Sequence, residues 1–205
     1  MCIKQIKVGY DNFSYIIYDI DSKLGAIVDP SYDINESLQF LKDKNLELKY
    51  IINTHHHNDH TNKNKDLKKL YPNSKLIISK YDIDKINLKA DIKIEDDNLL
   101  KLGNFNISFI STPGHTKGGI CILLENYAIF TGDTLFIGNC GRADLPGGDI
   151  DELFKSLQKI KKLSNELIVY PGHDYGKKPY DILKNQKKEN ICLIAKNIDE
   201  FLKIP

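Results

Sequence analysis

Short apolar segments recur along the chain, and most of them are bounded by Gly, Pro, Asn or Asp. Segments of this length and composition are typical of buried β-strands. In the first half they predict strands at 6–10, 14–19, 26–29, 50–53 and 75–79. Helical spacing of apolar residues predicts one helix over 34–44, with Asp33 as its N-cap, and a second over 65–71.

The second half of the chain repeats this pattern. It predicts strands at 105–111, 120–124, 127–130 and 167–170. A Gly-rich loop over 138–148 leads to Asp149, which is predicted to cap a helix over 150–163. Strands with helices between them predict an α/β fold with two sheets covered by helices. The length fits one domain spanning 1–205, which closes with a short helical tail.

Composition narrows the possible partners. The formal net charge is +1, whereas a nucleic-acid-binding protein shows a strong basic excess, so no nucleic-acid partner is expected. The first residues lack the apolar stretch of a signal peptide, and no apolar run approaches the length of a membrane span. We therefore expect a cytoplasmic protein without a membrane partner. The four cysteines form no CxxC pair, and no disulfide framework is expected.

The six histidines fall into three short motifs, and each motif follows the predicted end of a strand. The first is HHHNDH at 55–60, the second is PGH ending at His115, and the third is PGHDY with His173. Between the last two lies a Gly-Asp turn with Asp133. Because neutral imidazole is the commonest metal ligand in proteins, this distribution predicts a metalloenzyme.

The spacing HxH places two imidazoles on one side of the backbone. Side chains at i and i+2 of an extended segment point the same way, so His55 and His57 are able to share one metal ion. His115 would complete a set of three nitrogens around that ion. Three protein nitrogens with an open position form the arrangement of catalytic zinc sites. His56 points away by the same alternation and is interpreted either as an outer partner of the ligand residues or as a structural residue.

A second ion is predicted from the residues that follow. Asp59 and His60 come where the chain turns towards the next helix, and His173 would join them. Asp133 is a candidate carboxylate bridge between the two ions. Two metal ions that hold a hydroxide provide a nucleophile at neutral pH, and they also polarise the carbonyl that it attacks.

These motifs resemble the metallo-β-lactamase superfamily, whose members carry HxHxDH and then His, Asp and His in this chain order. The resemblance covers nearly the whole chain and extends to the Asp29-Pro30 element after the third strand. It implies an αββα sandwich with two mixed sheets flanked by helices and with the metals at one edge.

Within that superfamily, three segments resemble glyoxalase II, the hydroxyacylglutathione hydrolases. They are THHHNDH at 54–60, GDTLFIGNCGR at 132–142 and PGHDY at 171–175. The resemblance implies hydrolysis of an acylglutathione-like thioester with two zinc ions, and a small-molecule thioester or thiol as the partner. Asp59 is the candidate acceptor for the proton of the incoming water. The chain after His173 is shorter than is usual in that family.

Persulfide dioxygenases share the same Gly-Asp, CGRxD and HDY motifs. Their single iron is held by two histidines and one carboxylate, a triad that corresponds here to His55, His115 and Asp133. One Fe(II), or a mixed iron and zinc site, is therefore the alternative cofactor. The sequence also leaves open a lactonase or phosphodiesterase on this scaffold, and a metal-binding protein without catalysis.

Two residues are candidate substrate contacts. Arg142 is the single arginine of the sequence, and its guanidinium suits a carboxylate or phosphate, although an ion pair with Asp144 is an equal alternative. Tyr175 is predicted either to contact the substrate thioester or to pack at the sandwich edge. Catalysis by Cys140 is the lesser alternative to attack assisted by the metals.

Overall fold

The computed structural model describes residues 1–96 and 98–204. It contains two six-stranded sheets. The first sheet has the order β1-β2-β3-β4-β5-β6, in which β1 to β3 are antiparallel and β3 to β6 are parallel. Its strands are β1 (Cys2–Val8), β2 (Asn12–Tyr18), β3 (Leu24–Val28), β4 (Glu47–Ile52), β5 (Lys75–Ser79) and β6 (Ile92–Ile94).

The second sheet has the order β12-β11-β10-β9-β8-β7, and its only parallel pair in the described chain is β10 with β11. Its strands are β7 (Leu99–Leu102), β8 (Phe105–Ser111), β9 (Ile120–Leu124), β10 (Ala128–Gly132), β11 (Ile168–Pro171) and β12 (Asp181–Ile182). Mixed sheets with helical crossovers of this kind are usually covered on their outer faces.

Helices cover the outer face of each sheet, except the short helix that carries Asp59 and His60. They are α1 (Asn35–Asp43), α2 (Asn58–Thr61), α3 (Asn64–Leu70), α4 (Ile150–Lys161), α5 (Leu183–Glu189), α6 (Ile191–Ile194) and α7 (Ile198–Phe201), with a 3₁₀ turn at Ile83–Lys85. The predicted αββα sandwich is confirmed. No helix among the described residues combines the length and apolar character needed to cross a bilayer.

Period-two alternation along the strands builds three apolar layers. On β2, Tyr15 and Ile17 point into the layer between the sheets, where they meet Phe130 of β10. Ile16, between them, points outwards to the layer that α1 and α3 cover. On β10, Ile129 likewise points outwards to the layer under α4 to α7. Truncation of a fully buried Phe to Ala costs about 3–5 kcal/mol, so the inner layer holds the sheets firmly together.

Several boundaries differ from the predicted ones. Asp149 is the N-cap of α4, as predicted, and accepts a hydrogen bond from the Glu152 amide at 3.0 Å. The prediction that Asp33 is the N-cap of α1 was wrong by one residue, because Ile34 holds that position. The Asp33 carboxylate still accepts from the Asn35 amide at 2.8 Å and so bonds the first turn. The short strands β6, β7 and β12 were not predicted.

Candidate functional site

The predicted ligands come from four loops that meet at one edge of the sandwich. Each loop follows the carboxyl end of a strand: His55 follows β4, His115 follows β8, Asp133 follows β10 and His173 follows β11. Backbone hydrogen bonds join the two sheets beside this edge, from Phe13 to Gly172 at 2.8 Å and from Ile120 to Thr54 at 2.9 Å. The loops are therefore held by both sheets at once.

The first set of ligand atoms belongs to His55, His57 and His115. The His57 Nδ1 atom lies 3.1 Å from His55 Nε2 and 2.9 Å from His115 Nε2. His55 and His115 are buried, and His57 is half-buried. Three ring nitrogens that converge in this way are the predicted three-nitrogen arrangement.

The second set consists of Asp59, His60 and His173. The His60 and His173 Nε2 atoms are 3.2 Å apart, and Asp59 Oδ2 lies 3.6 Å and 3.5 Å from them. Both histidines are buried, whereas the Asp59 side chain retains 35% exposure. This set therefore faces solvent through its carboxylate.

Asp133 lies between the two sets. Its Oδ2 atom is 3.5 Å from His115 Nε2 and 3.2 Å from His173 Nε2, and its Oδ1 atom is 3.4 Å from His60 Nε2. Within the described residues, buried Oδ1 has no hydrogen-bond partner. An unpaired buried carboxylate oxygen is costly unless a cation faces it, so the donor set fits metal ions.

Four of the five candidate ligand histidines have a hydrogen-bond partner on the ring nitrogen that points out of the site. The pairs are His55 Nδ1 with Thr54 Oγ1 (3.0 Å), His60 Nδ1 with Asp29 Oδ2 (3.1 Å), His115 Nδ1 with the Arg142 carbonyl (2.7 Å) and His173 Nδ1 with Asp11 Oδ1 (3.3 Å). A ring N–H donated outwards fixes the tautomer that leaves the inner nitrogen free as a ligand.

The electrostatics of the site differ between the two sets. Burial, together with His115 and His56, lowers the pKa of His57 to about 4, which keeps this ring neutral. Burial alone would lower the pKa of His60 too, but Asp133 and Asp29 raise it to about 9. The carboxylates around the second set thus favour positive charge there, which either a proton or a metal ion supplies.

Glycines precede the ligands because no side chain fits. A Cβ atom on Gly172 would lie 2.3 Å from Asp133 Oδ1 and 3.0 Å from His60 Cε1. Gly132 has φ of +48°, and a Cβ atom there would lie 2.5 Å from Thr54 Oγ1. The Gly-Asp and Gly-His motifs are therefore steric requirements of a site whose loops approach each other closely.

Sequence reasoning missed the role of Asp29 and Asn12. Asp29 accepts from the Thr54 amide at 2.8 Å and from Thr54 Oγ1 at 2.6 Å, in addition to its contact with His60. Asn12 is buried, and its Nδ2 atom donates to Asp59 Oδ2 at 3.1 Å. The Asp-Pro element gave a signal for the first residue, and the segment between the first two predicted strands gave none for the second.

Asp82 was also missed, although it connects two ligand loops. Its buried carboxylate accepts from the His56 amide at 3.0 Å, from Thr116 Oγ1 at 3.0 Å and from the Gly118 amide at 2.8 Å. The His56 Nδ1 atom lies 2.9 Å from the same carboxylate. His56 belongs to none of the candidate metal sets found among the described residues. Asp82 therefore fixes the loops of His57 and His115 relative to each other.

Replacement Asp82→Asn is expected to weaken metal binding by about 10-fold, the lower end of the effect of removing an outer partner of a metal ligand, because Asp82 bonds the chain neighbours of His57 and His115. The amide accepts through one oxygen and loses the charge that holds Thr116 and Gly118. Competition with a chromophoric chelator measures the affinity. Asp91→Asn is the matched control, because Asp91 accepts from the Leu76 amide at 2.8 Å, away from the site. Equal affinities in both variants would contradict the role of Asp82.

A cavity of about 600 Å³ opens beside the two sets, and both predicted substrate contacts line it. The Tyr175 ring stacks on His173 with centroids 4.8 Å apart and planes inclined by 10°. Arg142 forms a bidentate ion pair with Asp144. Both contacts measure 2.6 Å, and both side chains are exposed. Phe136 contributes an apolar wall. The cavity thus joins ligand atoms to a cationic, an aromatic and an apolar group.

The family model for the metallo-beta-lactamase superfamily matches residues 9–173 of the sequence, and these residues contain every candidate ligand. The chain belongs to the metallo-beta-lactamase superfamily. This membership agrees with the four-layer fold and with ligands at the strand ends.

Relatives within the superfamily carry several names, among them hydroxyacylglutathione hydrolase and persulfide dioxygenase. The chain is 40% identical to the hydroxyacylglutathione hydrolase of Pelagibacter ubique (strain HTCC1062), over 98% of this chain and 84% of the relative. It is 32% identical to human mitochondrial persulfide dioxygenase ETHE1, over 94% of this chain and 75% of the relative. The crystal structure of ETHE1 from Myxococcus xanthus superposes with a TM-score of 0.87 at 26% identity, covering 100% of this chain and 92% of that one.

Proposed function

We propose that this protein is a metal-dependent hydrolase that cleaves a thioester with an acylglutathione-like carrier. The observation that carries the proposal is the 40% identity to a hydroxyacylglutathione hydrolase over 98% of this chain. Two candidate ligand sets with Asp133 between them suit the two ions that this activity needs.

The residues suited to hold two zinc ions are His55, His57 and His115 for the first, and Asp59, His60 and His173 for the second, with Asp133 shared. When bound, zinc ions supply a nucleophilic hydroxide at neutral pH and polarise the carbonyl under attack. The outer partners of the rings keep the ligand nitrogens oriented.

The chain's own groups have separate tasks in this proposal. Asp59 is half-buried at the cavity, and Asn12 holds its Oδ2 atom, so Asp59 is placed to accept a proton from an incoming water. Tyr175 is exposed and lines the cavity, and its hydroxyl suits a contact with the thioester or with an amide of the carrier. Arg142 suits a carboxylate of the carrier, which would replace Asp144 as the partner of the guanidinium. The leaving thiolate, with a pKa near 8.5, departs without a strong general acid.

The partner proposed here is a small thioester or thiol, with no nucleic acid and no membrane, and the proposed compartment is the cytoplasm. The near-neutral net charge supports the first part, because a strong basic excess is absent from the sequence.

Zinc-loaded protein is expected to hydrolyse acylglutathione in an assay that detects free thiol. Acyl-coenzyme A, an oxygen ester, a lactone and a phosphodiester serve as comparison substrates. The proposal predicts thioester cleavage with preference for the glutathione carrier. Absence of thioesterase activity on every acyl thiol, with correct metal content, would overturn it.

A second candidate is oxidation of a persulfide at one ferrous ion. The 32% identity to human persulfide dioxygenase favours it, and the matching residues His55, His115 and Asp133 are all present at the site. Oxygen uptake by iron-loaded protein in the presence of glutathione persulfide is its direct measurement.

A further inference from the structure

Two cysteines meet where the Gly-rich loop after β10 contacts the C-terminal helices. Asn139 Oδ1 accepts from the Cys140 amide at 2.8 Å and from Cys192 Sγ at 3.1 Å. The Cys140 amide and the Cys192 thiol thus share one acceptor atom. Cys140 packs against the apolar cluster that contains Cys192. The two thiols are therefore neighbours in space, although 52 positions separate them in the sequence.

The loop is anchored, so this juxtaposition does not depend on one contact. Asn190 Nδ2 donates to the Phe136 carbonyl at 3.0 Å and to the Asn139 carbonyl at 2.9 Å. The Gly138 amide donates to Gln186 Oε1 at 2.9 Å. These contacts hold the loop of Cys140 on the helices that carry Cys192.

The two thiols differ in access. Cys140 is partly exposed and lines the cavity beside the ligand sets, whereas Cys192 is fully buried. Cys121 is fully buried in β9, where its sulfur contacts Thr112 Oγ1 at 3.4 Å, and Cys2 lies on β1. Of these two cysteines, Cys140 is therefore the one that a small molecule in the cavity is able to contact.

We propose that Cys140 and Cys192 form a redox-active dithiol that a low-molecular-weight disulfide oxidises from the cavity. In the first step the Cys140 sulfur attacks one sulfur of the disulfide, forms a mixed disulfide and releases one thiol. In the second step the Cys192 sulfur attacks Cys140 Sγ, forms the internal disulfide and releases the second thiol. The protein loses two electrons and two protons, and the external disulfide is reduced to two thiols.

The local environment sets the expected speed of this exchange. The neighbouring Cys192 thiol and burial raise the pKa of the Cys140 thiol, and the neighbouring Cys140 thiol lowers the pKa of Cys192. Because the thiolate is the attacking species, the first step is expected to be slow, whereas the second is expected to follow rapidly from a neighbouring sulfur. The internal disulfide is therefore expected to accumulate rather than the mixed one.

The test exposes the full-length, metal-loaded protein to glutathione disulfide, followed by denaturation and alkylation of the remaining thiols. Alkylation is expected to fall from four thiols to two, and the intact mass is expected to decrease by two hydrogen atoms. Peptide mass spectrometry is expected to find one linked pair, Cys140 with Cys192. This readout is thiol chemistry alone, so it does not depend on the proposed thioesterase activity.

Two variants separate the steps. Cys192→Ser is expected to stop at a stable glutathione adduct on Cys140, and Cys121→Ser, the matched control, is expected to form the internal disulfide as the natural chain does. Retention of four alkylated thiols in the natural chain would overturn the proposal. A persistent adduct on Cys140 in the natural chain, or a linked pair that includes Cys2 or Cys121, would overturn it too. These outcomes are read on the natural chain and do not require the variants to fold.

Discussion

Replacement Asp133→Asn is expected to remove bound metal and to lower the thioesterase kcat/KM on the order of a thousandfold. A loss of this size corresponds to several kcal/mol of transition-state stabilisation, which the metal ions would supply. The side chain is buried between both ligand sets, and its carboxylate offsets the positive charge that gathers there. Asparagine keeps the volume, removes that charge and turns an N–H₂ group towards one of the sets. Metal per chain, measured on acid-digested protein, and the rate of thiol release check the expectation.

Asp19→Asn is the matched control for this experiment. Asp19 also has little solvent exposure and accepts from the Asn104 amide at 2.9 Å, but it follows β2 at the end remote from Asn12 and the site. Its variant is expected to lose some stability and to keep its full metal content. If Asp133→Asn retained the metal and the activity of the natural chain, the shared position of Asp133 would carry no function and the proposed site would be wrong.

The candidate ligands could be predicted because chemistry and local geometry coincide in short segments. The HxHxDH run places two imidazoles on one side of an extended backbone, and this local relation holds in the structure for His55 and His57. The remaining ligands follow strand ends, where a sheet gathers loops from distant parts of the chain. His115 and His173 could therefore be assigned to the same edge before any distance was known.

The outer partners could not be predicted in the same way, because their roles arise from contacts between distant segments. Asp82 lies in a turn whose sequence resembles many polar turns, and only the packing of three loops makes its carboxylate a common acceptor. Asn12 gains its role when the β1–β2 turn meets His173. The strands β6 and β12 are short and lie at the edges of their sheets. Their pairing with a neighbouring strand defines them, and their composition alone does not predict them.

The two candidate activities use the same scaffold and differ in how many ions the ligands hold. Both candidate ligand sets are present in this chain, and the single-iron triad consists of two members of the first set and Asp133. Hence no replacement of His55, His115 or Asp133 distinguishes hydrolase from dioxygenase. A residue that serves only the second ion does, and His173 is such a residue.

His173→Ala is expected to reduce the metal content from two ions to one and the thioesterase kcat/KM on the order of a thousandfold. His173 and His60 nitrogens are 3.2 Å apart, so alanine takes a ligand from the second set and leaves the three nitrogens of the first set untouched. In a single-iron dioxygenase His173 is not a ligand, and the same variant would still hold one ion, as the natural chain would.

His56→Ala is the control that makes this result decisive. It also removes an imidazole, but that imidazole lies outside the candidate sets of the described chain, and the backbone amide that bonds Asp82 remains. We expect it to keep two ions while His173→Ala keeps one. A natural chain that holds one iron, together with a His173→Ala variant of unchanged metal content and measurable persulfide-dependent oxygen uptake, would refute the hydrolase and establish the dioxygenase. The number of ions per chain decides because only the hydrolase proposal requires an ion in the second set.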